Sequence, residues 1–304
     1  MTSKTFFGQN KKAISIISGI LLLGIIVVLV ISAFVGLSLL TPFSGSVDTE
    51  PPEEMIYEEV EFESKKNDIK LEGWYFKGID GKEATKSTVI FAHGYGQNRL
   101  VDEVGLSLAK DLLQEGHRVF TFDFRNSGES EGDTTTIGQF EKYDLLGAVD
   151  YVSEEKPIIL HGFSMGASTA IIAAEEDPRV HGVIADSPFH DLENYLEANL
   201  SYWTKLPSFP FNWIILNLAP VITELEPEKV SPIETVENLD KPLLLIHGDE
   251  DVTIPHHDSK KIKEASPEED TQLVIIPGAE HVVGYLEDED KYLEAVLDFL
   301  EQFH

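Results

Sequence analysis

The chain has 304 residues, 42% of them hydrophobic and 25% charged, enough to bury a full core in one large domain or two modest ones, which excludes disorder as its overall state. Its 23 Lys and Arg stand against 54 Asp and Glu, for a formal net charge of -31; such a surface repels phosphate backbones and argues against a nucleic-acid partner. Cysteine is absent, so disulfides, a thiolate metal site and a cysteine-linked lipid are excluded.

From Ala13 through Val47 no side chain is ionisable, and Ile20 to Ile31 is almost wholly aliphatic. The run exceeds the roughly 20 residues a helix needs to cross a bilayer. Residues 1–12 therefore read as a cytoplasmic amino terminus, 13–40 as a transmembrane helix and 41–54 as a linker. Lys4, Lys11 and Lys12 before the span, with Asp48, Glu50, Glu53 and Glu54 after it, place the amino terminus inside and the remainder outside the cell. A cleaved signal peptide is the competing reading. Its apolar region is usually only about 7–15 residues long, and Ile31-Ser32-Ala33 puts isoleucine where a cleavage site wants a small residue. An uncleaved single-pass anchor in the cell membrane is the expectation.

Residues 55–304 alternate strand and helix. Met55–Glu63 and Ile69–Phe76 alternate as antiparallel strands do, and Ser87–Ala92 is a short apolar run of buried-strand type that ends in His93-Gly94-Tyr95-Gly96. A helix is expected from about Arg99 to Glu115, closed by Gly116. The strand Arg118–Phe124 follows, then the turn Arg125–Gly132 and a helix from about Ile137 to Ser153. Pro157–Leu160 leads into His161-Gly162-Phe163-Ser164-Met165-Gly166 and a small-residue helix to about Glu176. Val180–Asp186, Pro242–His247 and Thr271–Ile276 complete the strands, and Tyr285–Phe303 is a helix with an apolar face of Tyr292, Val296, Phe299 and Leu300. This alternation predicts an α/β fold, a mostly parallel sheet with helices on both faces.

One insertion breaks the rhythm. More than fifty residues separate Asp186 from Pro242 where one crossover helix would suffice. Leu192–Leu200 and Phe209–Pro220 in it read as helices, the second apolar on most of its circumference, and residues of about 188–240 are expected to form a helical cap insertion.

Gly162-Phe163-Ser164-Met165-Gly166, between a strand and a helix, is the pattern of a nucleophile elbow. Small neighbours let a strained turn display the serine at a helix N-terminus. A serine hydroxyl needs a base within hydrogen-bond reach and a carboxylate to orient that base. His281, in Pro277-Gly278-Ala279-Glu280-His281 after the last strand, is the expected base. His161 and His247 read as turn or core residues, His256 and His257 as solvent-facing, and His117, His181, His190 and the terminal His304 have no chemical context. Asp251, in His247-Gly248-Asp249-Glu250-Asp251, is the expected acid, Asp249 the nearby error and Asp186 the alternative, with a turn-capping role for Asp186 as its plainer reading. The backbone N–H groups of Met165 and Tyr95 are the expected oxyanion hole, and His93 is read as holding that loop.

These motifs, with the Asp123–Ser130 turn, resemble those of the serine α/β-hydrolase superfamily, in particular its membrane-anchored bacterial branch with serine aminopeptidase-like and acyl-hydrolase-like domains. The resemblance covers essentially all of the chain after the linker and implies an α/β-hydrolase fold. With that machinery, the expected function is hydrolysis of a small-molecule acyl ester or thioester through an acyl-enzyme on Ser164. No metal or organic cofactor is expected. Amide hydrolysis of the aminopeptidase type, and an inactive hydrolase fold used as a surface binding module, are the alternatives. Arg125-Asn126-Ser127-Gly128 departs from the commoner Arg-Gly-x-Gly, and the single glycine after Tyr95 departs from the glycine runs of lipases, which argues against bulky triglycerides.

Overall fold

The computed structural model describes residues 3–102, 104–152, 156–267 and 271–303. They fall into two compact units, the larger formed by Thr41–Tyr195 and Pro227–His304, the smaller by the chain up to Leu40 and Leu196–Glu226.

The larger unit is built on one sheet of β1 (Met55–Glu63), β2 (Lys70–Ile79), β3 (Lys82–Glu83), β4 (Thr88–Ala92), β5 (Arg118–Phe122), β6 (Ile158–Phe163), β7 (Val180–Asp186), β8 (Leu243–Gly248) and β9 (Thr271–Ile276). Strand order is β1-β2-β5-β4-β6-β7-β8-β9, with β3 a short appendage on β2. The β1–β2 and β2–β5 pairings are antiparallel and every pairing from β5 to β9 is parallel. Every residue of β4, β6 and β8 is buried, which is why those strands read as unbroken apolar runs, whereas β1 at the edge alternates. This is the α/β-hydrolase sheet. The order reverses at β4: the chain goes from β4 to β5 on one side, then returns to β6 on the other. Loops leaving the carboxyl ends of β4 and β6 therefore diverge and leave a crevice there.

The chain order of helices is α1 (Ser3–Leu39), α2 (Gly105–Gln114), α3 (Glu141–Val152), α4 (Met165–Glu176), α5 (Leu192–Thr204), α6 (Trp213–Thr223), α7 (Pro232–Val236), α8 (His257–Ala265), α9 (Gly284–Glu287) and α10 (Glu289–Leu300). Three in the larger unit differ from expectation. The helix expected from Arg99 begins only at Gly105, because Val101 and Asp102 take positive φ (48° and 50°) and Arg99 is held by Asp123 instead. The helix expected from Ile137 begins at Glu141, after Ile137 (φ 52°) and Gly138 (φ 108°). The Glu141 carboxylate accepts from the N–H groups of Thr136 and Gly138 at 2.7 Å each, which fixes that irregular entry. Ser153, its expected last residue, lies outside the described residues. The carboxyl-terminal helix is broken at Asp288, whose side chain caps α10 by accepting from the Lys291 N–H; its expected apolar face of Tyr292, Val296, Phe299 and Leu300 is fully buried.

Residues 41–54 run along the larger unit. Ser44 Oγ accepts from the Gly128 N–H at 3.0 Å and Asn98 Nδ2 donates to the Gly45 carbonyl at 2.9 Å.

In the smaller unit, Ala13–Leu39 of α1 contains an 18-residue window with a mean hydropathy of 3.2 and is long and apolar enough to cross a membrane, a property it shares with signal sequences. The part of the insertion in this unit holds the end of α5, a kinked turn (Ser208–Asn212) and α6; the helix expected from Phe209 begins only at Trp213, because Phe209 itself is extended (φ -105°, ψ 132°). Asn212 ties the turn to α5 by donating to the Glu197 carbonyl at 3.3 Å and accepting from Ser201 Oγ at 3.1 Å.

Candidate active site

β6 delivers the chain to Ser164, whose backbone (φ 54°, ψ -115°) lies where only a tight, over-determined turn holds a non-glycine residue. Its N–H donates to the Asp186 carbonyl at 2.8 Å. The turn closes only with glycine on both sides: a Cβ on Gly162 would come to 2.2 Å from the Gly166 oxygen, and one on Gly166 to 1.9 Å from the Ala92 oxygen. Ser164 thus stands at the first turn of α4, between the ends of β4 and β6.

Ser164 Oγ lies 2.8 Å from His281 Nε2, and His281 Nδ1 lies 2.7 Å from Asp251 Oδ2. The three residues come from loops after β6, β8 and β9, far apart in sequence and joined only by the parallel register of those strands. The other Asp251 oxygen accepts from the N–H groups of Thr253 and Ile254, both at 2.9 Å. Burial alone works against charge on Asp251, but hydrogen bonds from His247 and His281, with the Ile254 N–H, outweigh it and hold the carboxyl well below its usual range. With the carboxylate accepting, Nδ1 of His281 carries the hydrogen, which leaves Nε2 facing the serine hydroxyl as an acceptor.

His247, read from sequence as a turn or core residue, belongs to this constellation. Its Nε2 lies 2.7 Å from the Ile254 carbonyl and 3.2 Å from Asp251 Oδ2, and its Nδ1 lies 2.7 Å from Ser259 Oγ. Both partners of Nε2 only accept, so Nε2 carries the hydrogen. The signal available was its place in His247-Gly248-Asp249-Glu250-Asp251, four residues before the acid.

The loop after β4 is organised around Gly94. Gln97 Oε1 accepts the Gly94 N–H at 2.8 Å, and the Cβ position of Gly94 lies 3.5 Å from Ser164 Cβ, so Tyr95 follows directly beside the serine. His93 holds the loop as expected: Nδ1 donates to the Gly94 carbonyl at 2.8 Å and Nε2 accepts from the Phe124 N–H at 3.0 Å. Burial pushes its pKa down. Gln97 was not anticipated, since a glutamine in a Gly-rich loop carries no signal of its own. Behind the loop, Arg99 grips Asp123 through its backbone N–H (2.6 Å), Nε (3.0 Å) and Nη2 (2.5 Å).

Asp186, the alternative acid, is turned away from this chain. Its carboxylate accepts from Tyr292 Oη at 2.9 Å and from Ser187 Oγ at 2.8 Å, and burial raises its pKa. Asp249 accepts from the Gly278 N–H at 2.6 Å and so braces the loop carrying His281. His161 is buried beneath the elbow, 3.0 Å from Tyr292 Oη, with its pKa lowered to about 3 by burial. His117 pairs with Ser87, His181 with the Ile158 N–H and His190 with Asp258. His257 is exposed and His256 half-buried; His304 lies outside the described residues. Among the described residues no group of three or more His, Asp or Glu is placed to hold a metal ion.

Ser164 and His281 open into a cavity of about 570 Å³, within the usual size range of small-molecule sites. Tyr95, Val101, Val104, Val282, Val283 and Leu286 form its apolar walls, with Gln97 and Asp102 on the polar side.

Comparison with known proteins bears on this geometry. The family model for serine aminopeptidase, S33, matches residues 83–234. The Bacillus subtilis protein YqkD is 31% identical over 232 residues, which cover 72% of this chain and 73% of that protein. The mouse lysophosphatidylserine lipase ABHD12 is 26% identical over 197 residues, 62% of this chain and 47% of that lipase. Among solved structures, the esterase Pf2001 of Pyrococcus furiosus superposes with a TM-score of 0.71 at 26% identity, over 87% of this chain and 98% of the esterase.

Proposed function

The chain belongs to the serine aminopeptidase S33 family of α/β hydrolases, and from that premise we propose that it hydrolyses acyl esters or thioesters through an acyl-enzyme on Ser164. The observation that carries this reading is the unbroken hydrogen-bonded line from Ser164 Oγ through His281 to Asp251, opening into an apolar-walled cavity.

Ser164 Oγ attacks the acyl carbonyl carbon while His281 Nε2 takes its proton. Asp251 holds the imidazole in the tautomer that can do so and stabilises the imidazolium that forms. Negative charge develops on the former carbonyl oxygen, where the N–H groups of Met165 and Tyr95 would receive it, aided by the N-terminus of α4. Collapse expels the alcohol or thiol, which takes its proton from His281. Water, deprotonated by the same nitrogen, then attacks the acyl-enzyme; collapse breaks the Ser164 Oγ–acyl bond, releases the carboxylic acid and returns the proton from His281 to Ser164 Oγ.

Similarity to an esterase and a lipase favours ester over amide chemistry, and the apolar walls around Ser164 suit an apolar acyl group. Two further elements of the reading are that α1 is an uncleaved membrane anchor and that the hydrolase unit lies on the extracytoplasmic side. Turnover of acyl esters, thioesters and aminoacyl amides by the full-length protein, beside Ser164→Ala, tests the proposal. Ester or thioester turnover that vanishes in Ser164→Ala is expected; preferential turnover of aminoacyl amides would shift the assignment to a peptidase, and equal turnover by the two proteins would end it.

A further inference from the structure

The insertion carries a second apolar run besides α1. From Leu206 to Thr223 no side chain is ionisable, yet Phe209 (80%), Trp213 (63%) and Val221 (78%) are strongly exposed. Trp213, Asn217 and Val221 are spaced by four and share one face of α6. The polar member of that stripe is satisfied internally, since Asn217 Nδ2 donates to the Trp213 carbonyl at 2.8 Å. In water such a face is a liability.

The opposite face of α6 answers what covers it. α6 and the kinked turn pack against α1, and Ile215, itself buried, lies with Cγ2 3.7 Å from the Cβ position of Gly36. Ser32, 1% exposed, is one turn before Gly36. This small-x-x-x-small spacing lets helices approach closely within a membrane. Elsewhere α1 shows apolar side chains to its surroundings, for example Leu23 (62%), Ile25 (58%) and Val30 (61%). Ser32 and Gly36 belong to the carboxyl-terminal end of the span Ala13–Leu39. A helix touching them shares their depth, about 5–10 Å inside the bilayer boundary for the last turns of the span.

We propose that Phe209–Val221 is a second membrane contact, a re-entrant apolar segment that docks among lipid acyl chains beside the outer end of α1, with its Trp213–Val221 face against lipid. The segment is too short to span, which suits an interfacial helix. Tyr202, 71% exposed at the approach to the segment, has Lys205 Nζ 4.2 Å from its ring centroid, an aromatic and cationic pair suited to the headgroup level. The inference rests on α1 being a membrane anchor and is independent of the chemistry at Ser164.

Because the chain has no cysteine, single cysteines can be placed without background. Phe209→Cys, Trp213→Cys and Val221→Cys in the full-length protein would each carry an environment-sensitive fluorophore in phosphatidylcholine–phosphatidylglycerol vesicles, with and without nitroxide-bearing acyl chains. Ile25→Cys reports the anchor and Glu83→Cys, on the exposed β3, reports water; circular dichroism on each sample reports folding. The expected result is blue-shifted emission at positions 209, 213 and 221, with most of it lost to the nitroxide lipid as at position 25, and neither effect at 83. Water-like, unquenched emission at all three positions beside a quenched position 25 overturns the inference and leaves the anchor standing. A blue shift without nitroxide quenching means that protein, a second copy or a soluble partner, covers the face, and also overturns it. An unquenched position 25 removes the anchor and this inference together.

Discussion

His247 Nε2 lies 3.2 Å from Asp251 Oδ2, the same oxygen that receives His281 Nδ1 at 2.7 Å. Asp251 is therefore approached from two sides, and in the proposed mechanism His247 would be a positioning residue, reaching the reaction only through Asp251. The Nε2 hydrogen is directed to the Ile254 carbonyl at 2.7 Å and at most shared with Asp251, so the link to Asp251 is worth about 0.5–1.5 kcal/mol, and each ~1.4 kcal/mol of barrier is about tenfold in rate. His247→Phe is expected to lower kcat by about two- to tenfold with KM nearly unchanged. A fall in KM-dependent binding alone, with kcat intact, would contradict the positioning role.

The two candidate acids separate by geometry. Asp251 faces His281, whereas Asp186 is engaged by Tyr292 and Ser187. Asp251→Asn is expected to reduce kcat by on the order of 10⁴, the scale seen when a triad carboxylate is replaced by its amide. Asp186→Asn should stay within about tenfold of wild type. Steady-state kinetics on both variants decides, and the reverse ranking would overturn the assignment of the acid.

Gly166→Ala tests the elbow itself. Its Cβ would fall 1.9 Å from the Ala92 carbonyl oxygen, a backbone atom with no room to retreat inside the sheet. Destabilisation of at least about 3 kcal/mol, the upper range of overpacking effects, or loss of soluble expression, is expected in denaturant unfolding. Wild-type stability and activity would mean that the turn is built differently.

Arg179 donates to Asp177 through Nε at 2.9 Å and Nη2 at 2.6 Å, and this pairing, opposed in part by burial, lowers the Asp177 pKa to about 2. The folded value lies below the unfolded one, near 3.9. The stabilisation is therefore present above about pH 4 and is lost as pH falls through about 2. The pair is partly solvated, so Asp177→Asn should cost only about 1 kcal/mol or less at pH 7. Unfolding curves of wild type and variant should converge near pH 2. A gap that stays constant or widens on acidification would contradict the assignment.

Much of the fold and the candidate site was legible because each chemical motif sits directly after an apolar strand: Tyr95 after β4, Ser164 after β6, Asp251 after β8, His281 after β9. The parallel register then brings those loops to one edge, and periodicity alone reveals the strands. Helix starts were less legible, because Arg99–Val104 carries no glycine or proline, and the lone Gly138 in Ile137–Phe140 does not announce positive φ at its neighbour Ile137. Their conformations are set by Asp123 and Glu141, partners that a linear pattern does not pair. His247 and Gln97 escaped for a similar reason: each acts on a neighbouring loop, and neither residue type is diagnostic. The grouping of α6 with α1 was invisible, since the runs ending at Leu39 and starting at Trp213 lie far apart in the chain and share only an apolar character.

The central claim is that Ser164 is a nucleophile activated by His281. Labelling of the full-length protein with a fluorophosphonate, followed by mass analysis of the peptide containing Ser164, tests it most directly. The account predicts a stoichiometric adduct on Ser164 in the wild type, none in Ser164→Ala, and strongly slowed adduct formation in His281→Ala. A wild-type protein that remains unlabelled, or labelling that persists in Ser164→Ala, would contradict it.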